Sequence, residues 1–326
     1  MSERVKELLE PLAEGDRGAL ARCITLLEST RPADDADRNA LLQGCDELSA
    51  SRPTPSWRIA FTGAPGVGKS SLINRYGKLL VDAGHHVAVL AIDPSSDRTG
   101  GSILGDKTRM ADLAREERAF IRPSPTSGYL GGTAERTREA MLVCEAAGFD
   151  RIIVETVGVG QSEHHVSRIV DAVVFLTIAG SGDGLQGIKR GILETVDLVA
   201  VNKADGTGLD PAKQHARELK GALELLRGQE APACVTTSAV TNQGVTGLAE
   251  HIDRLLTGRQ RDGSFLEKRQ GQREQWFEAA IMDHLQRRLH GRPDWDTHHT
   301  ALLKDVRHGQ RTPYAAARDF LDRLGI

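Results

Sequence analysis

The residues Gly63-Ala64-Pro65-Gly66-Val67-Gly68-Lys69-Ser70 satisfy the pattern G-x-x-x-x-G-K-[ST] between an apolar run, RIAFT, and a helical one, SLINRYGKLLVDAG. Glycines at this spacing let the backbone fold so that several N–H groups point at one anion, with a helix N-terminus behind them. The chemistry implied is nucleotide phosphate binding by residues 63–71, Ser71 included. Lys69 would reach the outer phosphates, and the Ser70 hydroxyl would hold Mg²⁺. A plain glycine turn accounts for the glycines but not for the Gly-Lys-Ser order.

A second set of residues addresses the base. Asn202-Lys203-Ala204-Asp205 closes the apolar run LVAV. The Asp205 carboxylate can accept two hydrogen bonds from N1 and the exocyclic amine of guanine, while the Lys203 stem packs on the ring. Adenine lacks that donor pair, and a site built on such pairing discriminates by on the order of 10⁴. Ser238-Ala239, at the end of a later strand, would close over the guanine O6 through their backbone N–H groups. Asn202 and Asp205 thus select GTP and GDP, and argue against a kinase or transport ATPase.

Sensing of metal and γ-phosphate falls to carboxylates at strand ends. Asp93 follows VAVLAI, Asp106 lies in PSSDRTGGSILGDKTRM, and Glu155 ends RIIV. Each could bind Mg²⁺ directly or through water. Glu155-Thr156-Val157-Gly158 is a D-x-x-G-like pattern with glutamate in the aspartate place. Val159 comes next and has no group able to hold an attacking water, so slow intrinsic hydrolysis is expected.

The elements that must position these groups alternate. RIAFTG, HVAVLAID, AFIRPS, RIIVET, AVVFLTIA, LVAVNKAD and CVTTSA read as buried strands separated by helical stretches. Such alternation predicts an α/β fold with a mostly parallel sheet covered by helices on both faces, over residues 53–258. Residues 1–52 are helical by periodicity: Val5, Leu8, Leu9 and Leu12 share a stripe, and Asp16 caps a segment with Leu20, Ile24 and Leu27. SASRPTPS reads as a linker. Residues 259–326 form a tail: GRQRDGSFLEKRQGQREQ is too polar for a core. An apolar helix face with Trp276, Phe277, Ala280, Ile281, Leu285 and Leu289 follows, then a last helix capped by Thr312 with Pro313 in its first turn.

Composition narrows the class further. With 326 residues, 39% of them hydrophobic, and a formal net charge of −3, the chain can build a full core but has no positive field for nucleic acid or anionic membrane. Its apolar runs are far shorter than the roughly 20 residues of a membrane helix, and the N-terminus has no signal-peptide pattern, so a cytoplasmic protein is expected. The four cysteines form no CxxC pair and read as small buried hydrophobes. The three His-His pairs read as solvated surface residues.

The runs GAPGVGKSS, AIDPSSDRTGGSILGDKTRM, FIRPSPTSGYLGG, ETVGVGQSE, LQGIKRGI and VNKAD together resemble the MeaB (ArgK) type of G3E GTPase, chaperones of adenosylcobalamin-dependent acyl-CoA mutases. The resemblance covers the whole sheet region, and the helical N-terminus and C-terminal arm also fit. It implies a P-loop GTPase that gates adenosylcobalamin loading and release of damaged cofactor in a partner mutase, and a homodimer formed through the arm. It further implies three switches, at residues 93–110, 155–165 and 180–189, with Lys189 serving partner-stimulated hydrolysis. Where relatives read PGAGDELQG this chain has IAGSGDGLQG, keeping Asp183. The partner implied is methylmalonyl-CoA mutase, or a mutase of isobutyryl-CoA or 2-hydroxyisobutyryl-CoA. A G3E metallochaperone is the alternative, but the chain has no histidine-rich tract or Cys-His transfer site.

Overall fold

The computed structural model describes residues 1–29, 31–93, 110–125, 130–156, 166–180 and 195–325. These divide into two units, Met1–Leu266 and Glu267–Ile326.

The first unit opens with three helices, α1 (Glu3–Ala13), α2 (Arg17–Leu27) and α3 (Asp35–Ala50). The Ser2 side chain accepts from the Val5 N–H and that of Asp16 from the Ala19 N–H, each satisfying one otherwise orphaned helix amide. The stripe Val5, Leu8, Leu9 and Leu12 is buried, as are Leu20, Ile24 and Leu27. At Gly44 a Cβ would lie 2.3 Å from Leu9 Cδ1, so the Leu9 side chain packs directly on the α3 backbone at this glycine.

The sheet contains β1 (Trp57–Gly63), β2 (Val87–Asp93), β3 (Ala119–Pro125), β4 (Arg151–Thr156), β5 (Ala172–Ile178), β6 (Leu198–Asn202) and β7 (Ala233–Thr236). All seven expected strands are present. Every pairing is parallel, in the order β3-β2-β4-β1-β5-β6-β7. Helices α4 (Lys69–Asp82), α5 (Leu130–Ala146), α6 (Leu209–Arg227) and α7 (Val245–Asp262) provide the crossovers and cover. Along β1 the period-2 alternation sends Trp57, Ile59 and Phe61 into one core with Leu72, Ile73 and Tyr76 of α4 and Leu248, Ile252 and Leu256 of α7. Helix α5 covers the β2 and β4 side, and α2 and α3 pack upon it in turn. The chain leaves β1 toward β2 and later leaves β4 toward β5, so the strand order reverses around β1. Ligands of open α/β sheets bind at such a point, beyond the carboxyl ends of the strands.

The expected boundary near residue 258 falls inside α7, and the polar stretch after it contributes to the core. Phe265 is buried against the sheet core, and Arg259 donates to the Asp171 carbonyl and pairs with Asp197. A single large apolar residue and a well-anchored arginine thus make a polar run structural.

Helix α8 (Ser264–His290) begins at the end of the first unit; α9 (Trp295–Arg307) and α10 (Pro313–Leu324) complete the second. Thr312 caps α10 by accepting from the Ala315 N–H, with Pro313 in the first turn as expected. Trp295 of α9 meets Phe320 of α10 edge-on, ring centroids 4.7 Å apart. On α8, Phe277, Ile281, Met282 and Leu285 are exposed. Among the described residues no helix is long and apolar enough to cross a membrane.

Candidate functional site

The phosphate loop leaves β1 at Gly63, whose φ is 148° and whose Cβ, if it had one, would sit 2.2 Å from the Leu176 carbonyl oxygen of β5. Only glycine fits there. Gly68 has φ 93° and a Cβ position 2.6 Å from Asn202 Nδ2, so the second obligatory glycine is set by the guanine-motif asparagine. Pro65 and Gly66 are exposed, Ala64 is half-buried and Val67 is buried, which anchors the loop at one apolar point. Helix α4 starts at Lys69 with no side-chain cap, so an anion at this end would take up the first amides.

Lys69 is buried. Its Nζ donates to the carbonyl oxygens of Gly63 at 2.8 Å and Ala64 at 3.0 Å, folding the ammonium back over the loop it would serve. Ser70 Oγ donates to Glu155 Oε1 at 2.7 Å. Two residues far apart in the sequence, each expected to serve a metal, are therefore within hydrogen-bond reach. A hydroxyl beside a buried carboxylate is a hard oxygen pair of the kind Mg²⁺ selects. Beneath them Thr156 Oγ1 donates to Thr62 Oγ1 at 2.9 Å, joining β4 to β1 in the core. Ser71 is exposed on the first turn of α4. The backbone of Asp93 ends β2 one residue beyond the Ile92–Thr156 pair, at the same edge as Glu155. Asp106, Gly158, Asp183 and Lys189 lie outside the described residues.

The guanine motif is built differently from expectation at two positions. Asn202 is buried; its Nδ2 donates to the Val67 carbonyl at 2.8 Å and its Oδ1 accepts from Thr237 Oγ1 at 3.3 Å. In this structure it ties the phosphate loop to the base-binding strands, and its side chain is directed into the protein. Ser238 donates its N–H to the Gln243 carbonyl at 2.8 Å. That amide is spent on the turn and so is not free to close over O6 as the sequence predicts. Ser238 instead contributes its hydroxyl, which donates to Asp205 Oδ2 and accepts from the Thr241 N–H. Lys203 is exposed with φ 58°, a left-handed conformation uncommon outside glycine. The next residue holds it there, since the Ala204 N–H donates to the Thr237 carbonyl at 3.0 Å. Nothing in the local sequence marks Thr237. Its role depends on β7 lying beside β6, which no local pattern announces.

The assembled edge thus has the glycine loop with Lys69 after β1, a hydroxyl–carboxylate pair between α4 and β4, and the Asn202–Asp205 and Ser238–Ala239 segments after β6 and β7. Residues 20–294 match the family described as "Methylmalonyl Co-A mutase-associated GTPase MeaB". The chain belongs to the MeaB family. It is accordingly a GTPase that binds guanine nucleotide. A probable GTPase of Mycobacterium tuberculosis, Rv1496, is 46% identical over 98% of this chain and 95% of its own length. GTPase ArgK of Escherichia coli is 41% identical over 96% of this chain and 94% of its own. The mouse protein "Methylmalonic aciduria type A homolog, mitochondrial" is 39% identical over 96% of this chain and 78% of its own. Among solved structures, one titled LAO/AO transport system kinase superposes with a TM-score of 0.74 at 33% identity, covering 100% of this chain and 99% of that one.

Proposed function

We propose that this MeaB-family GTPase couples GTP binding and hydrolysis to the loading of adenosylcobalamin into an acyl-CoA mutase and to the release of damaged cofactor. The observation that carries the reading is the family match across residues 20–294, together with the long runs GGSILGDKTRM and ETVGVGQSE beyond the phosphate loop. The methylmalonic aciduria name of the mouse relative supports methylmalonyl-CoA mutase as the partner. The run IAGSGDGLQG, which lacks the proline and glutamate usual in the third switch, supports a mutase of isobutyryl-CoA or 2-hydroxyisobutyryl-CoA as the second reading.

In this reading Gly63 to Ser71 bind the phosphates, and Asp205, Lys203 and Ala239 read the base. Ser70 holds Mg²⁺ with help from Glu155, Asp93 and Asp106. The ion would neutralise charge on the β- and γ-phosphates. Gly158 reports the γ-phosphate. Because Val159 cannot hold a water, the free protein hydrolyses GTP slowly, and docking of the mutase brings Lys189 to the charge spreading over the transferred phosphoryl group. GTP turnover measured with and without each mutase tests the account. Stimulation by one of them, lost in Lys189→Ala with the basal rate unchanged, is expected; no stimulation by any of the three removes the chaperone role.

The same reading makes the protein a homodimer through its C-terminal arm, since Phe277, Ile281, Met282 and Leu285 present an apolar surface on α8. Sedimentation of a chain ending at Leu266, which keeps Phe265 in the core, should show a monomer. A dimer in that truncation would put the interface elsewhere.

A further inference from the structure

The Ala239 amide is the backbone donor remaining for guanine O6, and a group on the phosphate-loop helix governs where it points. Arg75, in the second turn of α4, donates from Nε to the Ala239 carbonyl at 3.1 Å. Its Nη1 donates to Asp112 Oδ2, also at 3.1 Å. That carboxylate oxygen is held a second time by Asn74 Nδ2 at 2.9 Å, and Asn74 Oδ1 in turn accepts the Leu113 N–H at 2.9 Å. Asn74 is buried, whereas the side chains of Arg75 and Asp112 are 39% and 48% exposed.

An ion pair so exposed contributes little to stability. Its geometry is nevertheless specific. The guanidinium has a rigid fork, and one prong lies on a carboxylate that an adjacent buried asparagine fixes. The other prong lies on the carbonyl of the residue proposed to read the base. A peptide unit is planar, so fixing that carbonyl fixes the Ala239–Val240 plane. On the other side Ser238 is pinned through its N–H to Gln243 and its hydroxyl to Asp205. Between two fixed planes the Ser238–Ala239 amide has little rotational freedom left. A donor whose direction is set before the ligand arrives loses less entropy on binding and discriminates better.

We infer that Arg75, oriented by Asp112 and Asn74, is a positioning residue for recognition of the 6-oxo group of guanine. The inference rests on the guanine reading above and deepens it. It joins the helix that carries the phosphate loop to the loop that reads the base.

Three diphosphates of different purine ribosides separate the possibilities when titrated calorimetrically into the full chain. GDP has the 6-oxo group, the N1–H and the 2-amine; IDP keeps the 6-oxo group and the N1–H; the 2-aminopurine nucleotide keeps only the 2-amine. For the native chain, weaker binding of the 2-aminopurine nucleotide than of GDP is expected; equal binding would overturn the 6-oxo reading itself. In Arg75→Ala the affinities for GDP and IDP should fall together, on the order of tenfold, as for loss of one charge-assisted contact. Affinity for the 2-aminopurine nucleotide should hardly change. Arg75→Lys, which cannot span Asp112 and Ala239 at once, should fall between, and Asp112→Asn should show the same selective pattern more weakly. An equal loss for all three nucleotides in Arg75→Ala would mean that the residue only supports α4 or the phosphate loop, and would overturn the inference. So would unchanged affinity for GDP.

Discussion

The two ends of the sheet use the same residue types for opposite purposes. At the amino ends of the strands, Arg58 of β1 is buried and donates from Nε and Nη2 to both oxygens of Glu145, at 2.8 and 2.7 Å, while Ser56 donates to the same carboxylate. Asp171 accepts the Arg58 N–H, and Asp197 accepts the Val173 N–H and pairs with Arg259. Charges here are satisfied by fixed partners within the fold. At the carboxyl ends, Lys69 rests on two backbone carbonyls and Ser70 on Glu155. Those partners are neutral or shared, and a phosphate or a cation can replace them without breaking a strand. The lesson is that a buried charge identifies a site only when its partners can be exchanged.

The largest effect that would sharpen this contrast is at the closed end. Glu145→Ala leaves Arg58 buried without its carboxylate and should cost about 3–5 kcal/mol of unfolding free energy in denaturant titrations. Nucleotide affinity of the folded fraction should stay near native. If affinity falls with stability, the two ends are not separable in this way. At the open end, Lys69→Ala should abolish useful GTP binding, seen by calorimetry, while the denaturation midpoint moves little. Asn202→Ala lies between the two behaviours. It removes bonds to Val67 and Thr237 and should cost about 1–3 kcal/mol as well as weakening nucleotide binding.

Smaller effects sharpen the picture of the core beneath. Tyr76 of α4 is fully buried and its hydroxyl has no hydrogen-bond partner among the described residues. Tyr76→Phe should therefore leave the melting temperature unchanged or raise it, by up to about 1 kcal/mol of stability; a marked loss would reveal a partner for the hydroxyl. Burial pushes the thiols of Cys23 and Cys234 up to about 11 and that of Cys45 up to about 12. At pH 8 thiol reagents should label the native protein slowly, beginning with Cys234, which is half-buried on the edge strand while Cys23, Cys45 and Cys144 are buried.

What could be read from the sequence follows the same division. The phosphate loop is legible because its chemistry demands particular residues at consecutive positions, and the strands are legible because burial on both faces leaves continuous apolar runs. The inward turn of Asn202 is not, since it depends on the end of β6 meeting Val67 across the sheet. Nor is the loss of the Ser238 amide to Gln243, a choice made by a turn whose residues look ordinary. The end of the first unit was obscured for another reason: one phenylalanine, Phe265, and one arginine, Arg259, carry a stretch otherwise indistinguishable from solvent-exposed helix.

The central claim is that this edge reads guanine through Asp205, and it is tested most directly by exchanging one atom. In Asp205→Asn the carboxylate acceptor pair becomes an acceptor and a donor, which suits xanthine, whose 2-oxo group replaces the guanine amine. Calorimetric titration of GDP and XDP into native and variant protein should show native preference for GDP and a reversal toward XDP in the variant, with Ser238 still able to bond the amide. An unchanged preference for GDP in Asp205→Asn would contradict the assignment and place base recognition elsewhere.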